Sequence, residues 1–333
     1  MTRLYSPRVY AMAMTSWSDN RLTRVELPTP EPRGQNVRVA VHAIGVNPVD
    51  WKMRTSGPIR LAARAIRPVR GPRGPIILGV DFAGVIEAIG PRVTGLAVGQ
   101  RVVGGTNFSR GQHGSYADTV VVHADQVCVL PDNVSFEVAS TLPVAGVTAW
   151  MALTEYRRIT AGRRALVLGA SGGVGQFAVQ IAKRSLNAEL VAGVCSKANT
   201  ELVRELGADE VIDYSAGDPL EAARALGPFD VIVDCVGGYS AARCRSLLGP
   251  GGRHVMVAGD SPGMMVQVLV PPFRSRTILG KATRVRLGSV VDAVAGGHVT
   301  VHIAERLPLT DVEVAHEKSQ TKRMTGKIVL LPR

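Results

Sequence analysis

The stretch 165–175, ALVLGASGGVG, constrains this chain more than any other. Four apolar residues in a row meet glycines at 169, 172, 173 and 175, after which Val174, Phe177, Ala178, Ile181 and Ala182 fall on one helix face. Strand, glycine turn and helix in that order make a backbone that a diphosphate can approach closely. The start of the helix then offers it unpaired N–H groups and a partial positive charge. The spacing is G-x-x-G-x-x-G, one residue off the commonest dinucleotide fingerprint. The same glycines would also suit a tight strand–helix packing turn with no ligand. The context favours a dinucleotide turn, with Gly169, Ser171, Gly172, Gly173, Val174 and Gly175 as its contacts.

That context is an alternation of strands and helices. Residues 190–195, 210–213, 230–235 and 252–259 read as strands, separated by helical segments such as 200–206. The alternation predicts an α/β doubly wound parallel sheet. Residues 1–131 read differently, as many short β elements with glycine turns, which suggests a compact barrel-like domain. Helical patterns follow at 136–142 and 147–155. A helix near 288–295 and a strand at 327–331 close the chain. The 333 residues suffice for one large or two ordinary domains.

Several classes are disfavoured. No run of 18 apolar residues occurs, and the N-terminus lacks the apolar core of a secretory signal. Cys128, Cys195, Cys235 and Cys244 are scattered without a C-x-x-C pair, which argues against a disulfide framework and for a reduced, cytoplasmic setting. The net charge of +12 comes from 32 arginines and only seven lysines. A nucleic-acid-binding protein on the same fold is therefore a second reading, but aromatics are only 5% of the chain and leave little for base stacking.

The order of motifs, GVNPVDWK, GVDFAGVI, LPVAGVTAW, VLGASGGVG, ELGADEVIDY and TGKIVL, resembles the medium-chain dehydrogenase/reductase superfamily. Within it the chain is most similar to the zinc-independent quinone oxidoreductase and enoyl reductase branch. The resemblance implies a GroES-like β-barrel domain over 1–132, completed by 286–333, and a Rossmann NADPH-binding domain over 133–285. It also implies an active cleft where they meet, and a homodimer, with the Rossmann sheet edge near 278–281 as the contact. Zinc-dependent members carry a cysteine and a His-Glu pair where this chain has Asn47 and Gly79-Val80-Asp81. No thiolate or imidazole cluster replaces them, so no metal is expected.

Cofactor choice is read from the strand after the turn. An acid there would bind the ribose diol of NAD, yet none lies between Glu189 and Glu201. Ser196 and Lys197 would instead suit the 2′-phosphate of NADPH. By resemblance, Tyr214 joins that phosphate, Thr148 approaches the nicotinamide, Val236 and Gly237 border the adenosine ribose, and Gly259, Asp260 and Ser261 approach the nicotinamide. Asn47 matches an asparagine facing the nicotinamide. It is the first catalytic candidate. Lys52 is the second, as a stabiliser of negative charge on the acceptor. Trp51 is expected to wall the pocket. Arg54, Arg60, Arg64, Arg67, Arg70 and Arg73 follow, with no acid between Lys52 and Asp81. Arginine pairs phosphate with two parallel hydrogen bonds. Arg60 and Arg64 are therefore placed on the substrate, with an enoyl-CoA thioester as the lead acceptor and a quinone as the alternative. A solvated basic insert would explain the same run. The expected partner is a small molecule, neither nucleic acid nor membrane.

Overall fold

The computed structural model describes residues 8–55, 57–70, 74–257, 274–278, 280–321 and 323–332. Gly259, Asp260 and Ser261 lie outside them. The chain divides into two compact units. One holds 1–144, 282–291 and 303–333, and the other holds 145–281 and 292–302.

The first unit is built from β1 (Arg8–Met14), β2 (Thr23–Pro28), β3 (Asn36–Gly45), β4 (Ile76–Ile77), β5 (Asp81–Ile89), β6 (Arg101–Gly105), β7 (Thr119–His123) and β8 (Val127–Val129). Helices α1 (Pro48–Arg54) and α2 (Pro58–Arg70) lie between β3 and β4, and α3 (Phe136–Ala139) follows β8. Strands β2, β1 and β4 form a small sheet. On β3 the burial alternates, with Val37, Val39 and Val41 facing the core. A slip of one residue would expose all three, each worth roughly 1.5–3 kcal/mol, and that penalty fixes the register.

The second unit contains α4 (Val147–Met151), β9 (Arg164–Leu168), α5 (Gly175–Gln180), β10 (Leu190–Cys195), α6 (Thr200–Glu205), β11 (Glu210–Asp213), α7 (Pro219–Arg224), β12 (Phe229–Asp234), α8 (Ala241–Ser246), β13 (Leu248–Met256) and β14 (Ser275–Thr277). The strands are parallel in the order β11-β10-β9-β12-β13-β14. This is the doubly wound order, with its direction reversing between β9 and β12. Ligands in such sheets bind beyond the carboxyl ends of the strands at that reversal, here the residues after Leu168 and Asp234. Helix α9 (Arg284–Ala295) then leads to β15 (Ile303–Pro308), α10 (Val312–Gln320) and β16 (Lys327–Leu331).

The last strand returns to the first unit. It runs parallel to β15 and antiparallel to β3, setting Val329 opposite Gly45 and Leu330 opposite Ile44. The sheet order becomes β15-β16-β3-β5-β6-β8, with β7 on the side of β3. Among the described residues no helix is long and apolar enough to cross a membrane.

Candidate functional sites

In the second unit the turn after β9 is as tight as its glycines require. Gly169 has φ +80°, and a Cβ there would sit 2.9 Å from Val236 Cγ2. A Cβ on Gly175 would lie 2.1 Å from the Gly169 carbonyl oxygen. The Gly169 and Ala170 N–H groups both donate to the Val194 carbonyl, and Gly172 donates to Gly169. Among the described residues no acceptor faces the N–H of Ser171, Gly173 or Val174, the donors that a diphosphate would take. Asn199 Nδ2 ties the turn to the end of β10, donating to Ser171 Oγ at 3.1 Å and to Ser196 Oγ at 3.2 Å. Asp234 Oδ1 accepts the N–H groups of Val236 and Gly237, both at 2.9 Å, and so fixes the turn after β12 beside Gly169. The structure thus brings the glycine turn, Ser196, Val236 and Gly237 together. Thr148 is buried on α4.

Lys197 is exposed, and the Tyr214 side chain is half exposed, with its N–H on the Cys195 carbonyl. A carboxylate absent from the sequence argument stands beside them. Asp213 ends β11 directly opposite Cys195. Hydrogen bonds from the Ser215 hydroxyl and N–H, then the Lys197 N–H and charge, hold it below the usual carboxylate range. This acid arrives from the neighbouring strand and lies outside the stretch that directly follows the turn. Its register position is the signal that would have found it.

In the first unit a buried polar network surrounds Asn47. Its backbone is extended (φ −133°, ψ 153°) and Pro48 begins α1, where a missing N–H costs nothing. Asp50 Oδ2 accepts the Asn47 N–H at 2.8 Å and closes the turn. Asn47 Nδ2 donates to Asp81 Oδ2 at 2.8 Å and to the Gly45 carbonyl at 3.2 Å. Lys327 Nζ donates to Asn47 Oδ1 at 2.6 Å and to the Val46 carbonyl at 2.7 Å. The Tyr116 hydroxyl lies 2.8 Å from His316 Nε2. The close packing needs Gly79 at φ +94°, because a Cβ there would lie 2.5 Å from the Tyr116 ring.

Asn47 is only 1% exposed and both its amide N–H groups are used inside the protein. The amide thereby holds the loop before α1. Burial, then the neighbouring Asp81, pushes Asp50 up to about 7, and burial does the same to Asp81. Burial lowers Lys327 despite both carboxylates. Burial, then the Arg54 charge, lowers His316 to about 3. Lys327 and Asp81, the partners of the Asn47 side chain, were not among the residues expected at the site. The signal was present, because TGKIVL predicts a strand with an inward lysine, and a buried lysine needs a carboxylate.

The remaining candidates sit on α1 and α2. Lys52 Nζ lies 5.6 Å from the centre of the Trp51 ring. The basic run is less free than its sequence implies. Arg54 is buried and pairs with Glu313 at 3.0 Å. Arg60 donates to the carbonyls of Arg54 and Trp17, with its guanidinium 5.5 Å from the Trp17 ring. Arg64 is exposed. Two of the arginines expected to form a phosphate-binding rim are therefore spent on the protein's own carbonyls and carboxylate.

Zinc does not fit around Asn47. The oxygens there already surround the Lys327 ammonium, and a divalent cation would sit against that positive charge. Among the described residues no group of three or more His, Cys, Asp or Glu side chains gathers to hold a metal ion.

Comparison with known proteins agrees with this layout. Residues 33–132 match the alcohol dehydrogenase GroES-like domain, and residues 206–330 match the zinc-binding dehydrogenase family. A chloroplast envelope quinone oxidoreductase homologue of Arabidopsis thaliana is 31% identical, over 93% of this chain and 94% of its own. The human mitochondrial NAD(P)H oxidoreductase RTN4IP1 is 31% identical, over 88% of this chain and 81% of its own. The solved quinone oxidoreductase of Coxiella burnetii superposes with a TM-score of 0.86 at 28% identity, covering 98% of this chain and all of its own. Two of these relatives are organelle proteins by name, whereas the cysteine pattern here argues only for a reducing compartment.

Proposed function

This chain belongs to the medium-chain dehydrogenase/reductase superfamily, and on that premise we propose that it is a metal-free NADPH:quinone oxidoreductase. It is an oxidoreductase using a nicotinamide nucleotide. The choice of NADPH and of a quinone is our reading. One observation carries it: a glycine turn with open N–H groups, tied by Asn199 to a strand end that presents Ser196 and the Lys197 side chain. The 2′-phosphate would lie against Lys197, Ser196 and Tyr214, and the diphosphate against Ser171 to Gly175. Gly172 and Gly173 let the backbone approach, while Val236 and Gly237 border the adenosine ribose. When bound, the nucleotide supplies a hydride.

The chain's own residues bind, orient and polarise. Thr148 positions the nicotinamide. Trp51 walls the acceptor pocket, and Lys52 stabilises the negative charge that grows on a carbonyl oxygen during reduction. Asn47 acts at one remove by fixing the α1 loop that carries both. A quinone suits such a site because it needs no Lewis acid to accept hydride. The enoyl thioester gives way to it on two counts. Two of the relatives are named as quinone oxidoreductases or their homologues, and Arg54 and Arg60 are bound internally. A homodimer through the sheet edge at Ile278 accompanies this reading.

A spectrophotometric screen of NADPH and NADH oxidation against quinones, enones and enoyl-CoAs tests it. Quinone turnover with a lower KM for NADPH is expected. Faster turnover of an enoyl-CoA than of any quinone would overturn the acceptor, and absence of nucleotide binding would overturn the whole.

A further inference from the structure

At the amino ends of β9 and β12, five strand residues and about 15 Å from the glycine turn, the second unit carries a depression of about 450 Å³. Arg163, Arg164, Asp230, Pro228, Gly249 and Pro250 line it. Three further guanidiniums crowd the Gly249–Gly252 turn at its rim. Arg274 donates to the Gly252 carbonyl at 3.1 Å and to the Gly249 carbonyl, Arg253 donates to Gly251 and Gly252 at 3.2 Å, and a Cβ on Gly251 would lie 3.3 Å from Arg157 Nη1.

Five arginines from four separate segments thus converge on one depression. Among the described residues two carboxylates answer them. Asp230 takes Arg163 at 2.6 Å and Arg157 at 3.4 Å, while Glu189 stands 3.8 Å from Arg164. Charge is left over, and so are donors, since Arg157 Nε and Arg164 Nε are buried with no acceptor. Burial and then the adjacent Arg253 lower the pKa of Arg274, as expected where cations crowd. A folded chain gathers guanidiniums against their mutual repulsion only where an anion relieves it or where each is fully tied to carbonyls, and these are not fully tied. Arginine forks match phosphate oxygens two at a time, and the volume falls in the usual range for small-ligand pockets, roughly 300–1,000 Å³.

We propose that this depression is a second anion site, separate from the cofactor turn, that takes a diphosphate-bearing ligand. Calorimetric titration with inorganic pyrophosphate, and in a second arm with ADP, tests it on the full chain with and without saturating NADP⁺. Binding that persists beside NADP⁺ is expected. Arg163→Ala with Arg274→Ala should weaken it at least about tenfold, and Pro250→Glu, an exposed substitution that sets a carboxylate among the arginines, should abolish it. All variants should keep the KM for NADPH within about twofold, with circular dichroism confirming the fold. Tighter binding of ADP identifies a nucleotide as the ligand, and equal binding identifies the bare diphosphate group. Pyrophosphate displaced by NADP⁺, no heat in the saturated protein, or affinity indifferent to Pro250→Glu would each overturn the proposal. So would a change in oligomeric mass in the arginine variant, which would make the patch a subunit contact.

Discussion

The glycine turn of the second unit and the Asn47 network of the first handle charge in opposite ways. The turn leaves N–H donors open, and Lys197 beside it is exposed with Asp213 as its neighbouring carboxylate. The network turns its donors inward, with the Asn47 amide and the Lys327 ammonium bonded inside the protein, while Asp50 Oδ1, Asp81 Oδ1 and His316 Nδ1 are buried without a partner among the described residues. Two carboxylates, an ammonium, an amide, a phenol and an imidazole are each 4% exposed or less. The turn's donors stay open, whereas the donors around Asn47 are used inside the protein.

Four experiments sharpen or break that contrast. The largest effect is expected from Lys327→Met, which strips the cation from between two buried carboxylates and orphans Asn47 Oδ1. Equilibrium urea unfolding should show a loss of about 3–5 kcal/mol. A loss under about 1 kcal/mol would mean that water already reaches the network. Next is Gly175→Ala, whose methyl would meet the Gly169 carbonyl. Opening the turn should cost about 1–3 kcal/mol, read mainly as weaker NADPH binding by fluorescence titration. A mutant that binds normally would leave the turn as packing alone. Lys197→Ala should then raise the KM for NADPH about tenfold while leaving that for NADH nearly unchanged. Equal shifts would credit Asp213, not Lys197, with the selectivity.

The smallest effect lies in pH. The Asp50 and Asp81 carboxyls are raised to about 7, so protonation stabilises the native state fully below the unfolded value and that stabilisation is lost as pH rises through about 7. Asp81→Asn should therefore be most inferior to the wild type near pH 5 and least so near pH 8, by thermal melting. His316 runs the other way. Lowered to about 3, it favours unfolding as pH falls below its unfolded value near 6.5, and both proteins share that slope. A mutant deficit that does not vary with pH would place the charges in solvent.

The two regions differed as much in how far the sequence revealed them. The turn was legible because strand, glycines and helix are contiguous, and local periodicity reports local structure. The parallel sheet followed from the same alternation. The network was not legible, because Lys327 and Asn47 are 280 residues apart and meet only through the register of β16 on β3. Asp213 escaped for the related reason that it stands on the neighbouring strand, opposite Cys195. The arginine run showed the reverse failure. Composition marked it as a free basic rim, and partners as distant as Glu313 turned two of its members into structural ties.

The closing strand also sets a timetable. A ribosome makes residues 145–302 in one pass, so the parallel sheet has all its parts while synthesis continues. The first-made barrel must wait for Lys327 to emerge, holding Asp50 and Asp81 without their counter-charge meanwhile. The unit translated first is thus expected to mature last, and nascent chains arrested after residue 302 should show a protease-resistant second unit beside a digestible first one.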